Sequence, residues 1–192
     1  MNTPSDEECN HLFHETGMLD HIADHSRQVC RVAAFLTDRL REKNISLNRK
    51  LVIAGALLHD ITKTRSFDTG EDHAQTGEAL LIELGYREVG KIVGQHVALK
   101  TYFSSDVPDE AEIVNYADKR VLHDRIVSMD QRMKYILERY CQNPDHLRRL
   151  QQLWDVSHEM EKRIFRRLLF LPEALEENIK MSLPGHVQND PA

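Results

Sequence analysis

LVIAGALLHDITKT, residues 51–64, is the stretch on which the reading of this chain turns. An apolar run leads straight into His59 and Asp60, and Lys63 follows almost at once. Charged side chains are almost never fully buried unless they are paired or hold a metal. Either this helix reaches the surface at its end, or it delivers ligands to a site. The run is apolar nearly all round, which predicts a central helix, with Ser46 as its N-cap.

The flanks extend a helical pattern. Ile22, Val29, Val32, Ala33, Leu36 and Leu40 recur at helical spacing and predict a helix from Met18 to about Leu40. "TKTRSFDTGED" reads as a loop, "HAQTGEALLIELG" as a helix closed by Gly85, and "REVGKIVGQHV" as a shorter helix. "EAEIVNYADKRVLHDR" and "IVSMDQRMKYILERYC" predict two helices or one long kinked one. A further helix runs from about His146 to Leu168, and Pro172 opens a short last one. No run alternates well enough to predict a strand. The expected fold class is all-α, a helical bundle of about six to eight helices. The expected organisation is a flexible segment 1–16, a main helical domain 17–142, a C-terminal helical extension 143–181 packed on it, and a flexible tail 182–192.

Composition sets limits. The 192 residues suit one domain, and a hydrophobic share of 41% provides a core. A net charge of −6 argues against general nucleic-acid binding, which needs a basic face. A small phosphorylated substrate stays open, because bound metal ions supply positive charge locally. Cys9, Cys30 and Cys141 form neither a disulfide framework nor a zinc ribbon. The acidic N-terminus lacks the apolar region of a signal peptide, and no run has bilayer-spanning length. A cytoplasmic protein with no membrane association is expected.

Histidine is in excess: 11 in 192 residues, more than twice the roughly 2% of average proteins. His25, His59 with Asp60, His73, His96 and Asp118 fall on five separate predicted helices, at helix ends or beside apolar faces. These are standard ligand types for zinc, iron or manganese, and helical bundles build metal sites from facing helices. Neighbours on a helix point about 100° apart, but both can reach inward near a terminus. A carboxylate can bridge two ions. Asp60 between two metals, with His25, His59 and Asp118 on one and His73 and His96 on the other, accounts for all six residues.

This order resembles the HD superfamily of metal-dependent phosphohydrolases. "LLHDITK" resembles the HDIG form of the motif, "NYADKR" the segment with the final aspartate, and "HAQTG" and "QHV" the two extra histidine segments of two-metal members. The likeness covers about Leu19 to Tyr140. Thr62 stands where many relatives have glycine, a change expected to narrow the pocket and remove no ligand. The resemblance implies an HD-domain helical bundle and two divalent ions per chain, with Fe or Mn ahead of Mg, Co, Ni or Zn. It implies hydrolysis of a phosphate ester or anhydride by metal-activated water. Asp60 and Lys63 would be catalytic, and Lys63 and Arg65 would bind the substrate phosphate. A nucleotide or dinucleoside polyphosphate is the expected substrate; the chain lacks the "GYP" segment of the cyclic dinucleotide-cleaving branch.

Each candidate also has an ordinary reading. His25 alone suits a hydrogen-bonded core histidine, and His73 could merely begin a helix capped by Asp72. His96 could favour a helix dipole, and Asp118 could pair with Lys119 or Arg120. Without His73 and His96 a one-metal set of His25, His59, Asp60 and Asp118 remains. His21 reads as a neighbour of the site, since the glutamate of an HExxH motif is replaced by Ile22. His123-Asp124 reads as structural or as pocket rim. His11, His14, His146, His158 and His186 lie outside the pattern. Lys162, Arg163, Arg166 and Arg167 read as a solvated face, and Met129, Met133, Tyr135 and Ile136 as core or dimer packing, so a homodimer is an option. Two alternatives share the fold: a di-iron oxygenase with the same six ligands, and an inactive HD binding or sensor module.

Overall fold

Helix α3 (Arg49–Leu58) lies at the centre. Leu51, Val52, Ala54, Gly55, Ala56, Leu57 and Leu58 are all buried, as its all-round apolar sequence requires. Its N-cap is Asn48, whose side chain accepts from Leu51 N, and not Ser46. Gly55 is needed for close packing: a Cβ there would stand 2.8 Å from Ile92 Cγ2. The structure is a computed structural model and describes residues 2–140 and 144–182. Cys141, His186, the expected tail beyond Ser182 and the expected boundary at 142 and 143 lie outside them, as do the side chains of Tyr140 and His146.

Around α3 the chain builds an all-α fold. Helix α1 (Asp6–Glu15) precedes the long α2 (Asp20–Arg41), which buries Ile22, Val29, Val32, Ala33, Leu36 and Leu40. After α3 come α4 (Lys63–Thr69), α5 (His73–Glu83), α6 (Arg87–Val93) and α7 (Glu110–Lys119). Strands β1 (Val121–Leu122) and β2 (Arg125–Ile126) pair antiparallel. Then follow α8 (Met129–Tyr140), α9 (Pro144–Phe165), a 3-10 turn Pro172–Ala174 and α10 (Leu175–Ser182). Helix α2 packs on α3 and α7, α3 on α6 and α7, and α5 with α6 as a hairpin turned at Gly85 (φ +86°). One hydrophobic core runs from Cys9 to Ile179, so α9 and α10 share it.

Four local expectations need correction. Residues 6–15 are helical rather than loose, because Ser5 and Glu8 form a reciprocal capping box and Cys9, Leu12 and Phe13 bury one face. Residues 63–69 form a short helix that stops at Gly70 (φ +69°), not a loop. The strand pair 121–126 separates α7 from α8, so they are not one kinked helix. Its reversal sits at His123 (φ +57°), a residue type enriched among non-glycines in the left-handed region. Arg163 is 8% exposed and lies over Phe103, and its Nη2 donates to Ser105 O, so it is not part of a solvated face.

Candidate metal centre

The ends of α3 and α6 use the same device. His59 Nδ1 donates to Ala56 O at 2.8 Å, and His96 Nδ1 donates to Val93 O at 2.7 Å. Each ring bonds a carbonyl in the last turn of its helix, where intrahelical partners run out; Val93 O also accepts from His96 N at 3.3 Å. A carbonyl only accepts, so each bond puts the proton on Nδ1 and leaves Nε2 as a lone pair. His25, on α2, does the same across the fold, its Nδ1 donating to His123 O at 2.8 Å. Three imidazoles are thereby oriented as ligands are, by a bond on the nitrogen away from the ion.

The free nitrogens converge with the two carboxylates. His25, His59 and Asp118 form one group, and Asp60, His73 and His96 a second; within each, the ligand atoms lie within 4.8 Å of one another. His25 Nε2 is 3.0 Å from Asp118 Oδ1, which is 3.7 Å from His59 Nε2. Asp60 Oδ1 is 3.3 Å from His73 Nε2 and 3.4 Å from His96 Nε2, and those two nitrogens are 3.2 Å apart. Asp60 Oδ2 turns the other way, 3.4 Å from His59 Nε2, so the carboxylate stands between the groups.

These residues fit divalent ions. Ligand bonds of about 2.1 Å put neighbouring donors about 3.0 Å apart at octahedral angles and about 3.4 Å at tetrahedral ones. The observed separations fall in or near that range. His59 Nε2 and Asp60 Oδ1 are buried and have no hydrogen-bond partner among the described residues, a condition that native interiors seldom tolerate without a reason. Burial pushes the Asp60 carboxyl up, but His59 and Lys63 overcome it and hold it well below the ordinary range. Burial likewise opposes ionisation of Asp118, and His25, Arg132 and His59 reverse it. Both carboxylates are therefore anionic at neutral pH, as ligation requires.

Lys63 reaches the cluster, with Nζ 2.7 Å from Asp60 Oδ2. Arg65 does not. It is exposed, and its Nε pairs with Glu71 Oε1 at 2.6 Å. His21 is exposed and outside both groups. His123 contributes its backbone carbonyl, and its ring meets Tyr135 edge-on. Thr62 does not simply narrow a pocket: its Oγ1 donates to His73 O at 2.8 Å and meets Thr76 Oγ1 at 2.9 Å, fixing the start of α5.

Other supports carry no motif signal in the sequence. Asn115 Nδ2 donates to Gln95 O and His96 O, both at 2.9 Å. Lys119 is 4% exposed, and its Nζ donates to His96 O, Val97 O and Asn115 Oδ1. Burial pushes its ammonium down to about 8. Together they clamp the backbone that carries His96. Arg132, on α8, brings Nη2 to 3.7 Å from Asp118 Oδ1.

The site and the helical frame define a class: the HD domain family matches residues 22–121, just over half of the chain, and the chain belongs to it. That family is typically one of metal-dependent hydrolases. The chain is similar to the tRNA (cytidine(56)-2'-O)-methyltransferases of Picrophilus torridus, 30% identical over 145 residues, and of Thermoplasma volcanium, 30% identical over 141 residues. The alignments cover 68% and 67% of this chain and 40% of each relative, so the chain spans about two fifths of their length. An uncharacterized protein of Methanocaldococcus jannaschii is 24% identical over 156 residues, covering 74% of this chain and 91% of that one. No solved structure matches the chain significantly. Among the described residues, no helix is long and apolar enough to cross a membrane.

Proposed function

We propose that the chain is a phosphohydrolase that holds two divalent ions, iron or manganese, and cleaves an ester or anhydride of a small phosphorylated substrate such as a nucleotide or dinucleoside polyphosphate. The observation that carries this reading is the carboxylate of Asp60. It faces His73 and His96 through Oδ1, and His59 and Lys63 through Oδ2. His25, His59 and Asp118 would hold one ion, and His73 and His96 the other, with Asp60 shared. Nitrogen and oxygen donors of this kind suit iron and manganese. Bound ions of this kind supply Lewis acidity toward water and phosphate oxygens.

The protein's own groups do the rest. His59, Asp60 and His96 are almost fully buried, whereas Lys63, His73 and Asp118 are partly exposed. A substrate therefore approaches over Lys63. Burial opposes the charge of Lys63, but Asp60 and Asp118 hold its pKa above the ordinary lysine value. Its ammonium stays charged and acts as a point charge on a phosphate oxygen.

The 145 and 141 aligned residues favour a second reading, a part in the tRNA methylation for which those two relatives are named. The donor sets support the first reading more strongly, because two groups of metal-ligand type suit metal-assisted hydrolysis. The test is metal content of protein purified without oxygen or chelator, with phosphate release measured on nucleotides and dinucleoside polyphosphates. About two ions per chain and chelator-sensitive phosphate release are expected. Oxygen uptake without phosphate release points to the oxygenase, and no metal under any loading points to a binding module.

A further inference from the structure

A buried arginine, Arg120, and a partly buried one, Arg132, flank α7, and they differ in what they bind. Arg120 has a protein partner for each guanidinium nitrogen: Nε donates to Val127 O, Nη1 to Tyr116 and Glu161, and Nη2 to Pro172 O. It is a structural arginine that ties α7 to α9 and to the 3-10 turn. Arg132 has no such set. Its Nε is buried without a partner among the described residues. Its Nη2 lies 3.7 Å from Asp118 Oδ1, too long for a hydrogen bond. Its guanidinium carbon lies 6.0 Å from the ring centroid of Tyr135, which in turn packs on His123. Arg163 also has a buried Nε without a partner, but its Nη2 donates to Ser105 O and it lies over Phe103, away from both ligand groups.

Position gives these unused donors a purpose. The Arg132 side chain is 15% exposed, and it approaches Asp118 as Lys63 approaches Asp60. The two cations thus stand one on each carboxylate of the cluster. A planar guanidinium with free N–H groups matches the oxygens of a phosphate, and binds it two-pronged where an ammonium gives a point charge.

We propose that Arg132 is a substrate-binding residue that, with Lys63, clamps a dianionic terminal phosphoryl group over the cluster, so that terminal phosphates are preferred to internal diesters. This rests on the phosphohydrolase reading and narrows its substrate class to nucleotides and other molecules with a terminal phosphate, disfavouring dinucleoside polyphosphates, whose phosphates are all internal. A phosphodiester carries one charge on the reacting phosphate and a terminal phosphate carries up to two. The second cation therefore contributes most to the terminal group.

The experiment is calorimetric titration of inorganic phosphate into manganese-loaded protein, with metal content measured on the same samples. Arg132→Gln is expected to keep wild-type metal content and to bind phosphate at least about tenfold more weakly, with Arg132→Lys in between. Arg148→Gln removes an equal charge from the exposed start of α9 and is expected to bind as wild type. Equal phosphate affinity in wild type and Arg132→Gln overturns the proposal, as does loss of metal in Arg132→Gln, which would make it a support of Asp118. Unchanged discrimination between a phosphomonoester and a diester in Arg132→Gln overturns the terminal-phosphate preference. Failure of the hydrolase reading shows differently: phosphate binds and depends on Arg132, yet no ester or anhydride is cleaved by the metal-loaded wild type.

Discussion

His25 Nε2 faces Asp118 Oδ1 at 3.0 Å while His25 Nδ1 donates to His123 O. With its proton on Nδ1, the ring presents a lone pair to an anionic oxygen. Two acceptors at that distance need a cation or a second proton between them. The ligand groups differ in their elements, α2, α3 and α7 against the α3 end and the α5–α6 hairpin, and should be separable. His73→Ala and His96→Ala should each leave about one ion per chain, and His25→Ala should lose the other, read by elemental analysis after gel filtration.

Lys63→Met separates the ammonium from the ions. Without metal, the variant leaves Asp60 buried with less compensation, and its stability should fall by about 3–5 kcal/mol. With metal loaded, that deficit should shrink, while phosphate release should fall by about 10²-fold, the scale for loss of one preorganised charged contact. Urea melts of metal-free and metal-loaded protein, beside turnover, check both parts.

Thr62→Val keeps the shape and removes the bonds to His73 O and Thr76. Stability should drop by about 1 kcal/mol. Affinity for the ion on the hairpin should drop by about 10-fold or more, as for loss of other supports of metal ligands. Competition with a coloured chelator measures the second effect, and unchanged affinity would show that α5 holds His73 without Thr62.

Gly55→Ala places a methyl 2.8 Å from Ile92 Cγ2. Overpacking costs about 1–3 kcal/mol, and the better helix preference of alanine offsets up to about 1 kcal/mol. A lowered denaturation midpoint is expected. Metal affinity should fall with it, because α6 leads into His96.

Burial pushes the thiols of Cys9 and Cys30 each up to about 12, from an ordinary value of 9.0. A group whose folded pKa is raised stabilises fully below its unfolded pKa and loses that contribution as pH rises through the folded one. Stability should therefore begin to fall above about pH 9 and continue toward 12. A disulfide reagent at pH 8 should find these two thiols inert in folded protein and reactive in urea.

How much of this could be read in the sequence varied with the kind of signal. The residues of the two clusters were legible because each pairs an unusual residue with an apolar helical flank, and Lys63 because it follows the motif at once. The first helix had a signal too: Ser5 and Glu8 spell a capping box ahead of Cys9, Leu12 and Phe13. Arg65 and Arg132 were not distinguishable, since only tertiary structure gives one a carboxylate partner at the surface and brings the other to Asp118. Asn115 and Lys119 look like an ordinary polar face of α7 until α6 packs beside it. His123 acts through its carbonyl, which every residue has.

The spread of the ligands along the chain has a consequence for when a metal can be taken up. His25 and Asp118 are 93 positions apart, and loop closure of that length must precede their meeting. A chain still emerging from the ribosome presents Asp60, His73 and His96 before Asp118 exists. The hairpin's set can therefore form early, and the set on α2, α3 and α7 closes only once the helical frame is built. An ion held there would be acquired by a finished protein, and its identity would be decided by the metal supply the folded chain meets rather than by the conditions of its synthesis.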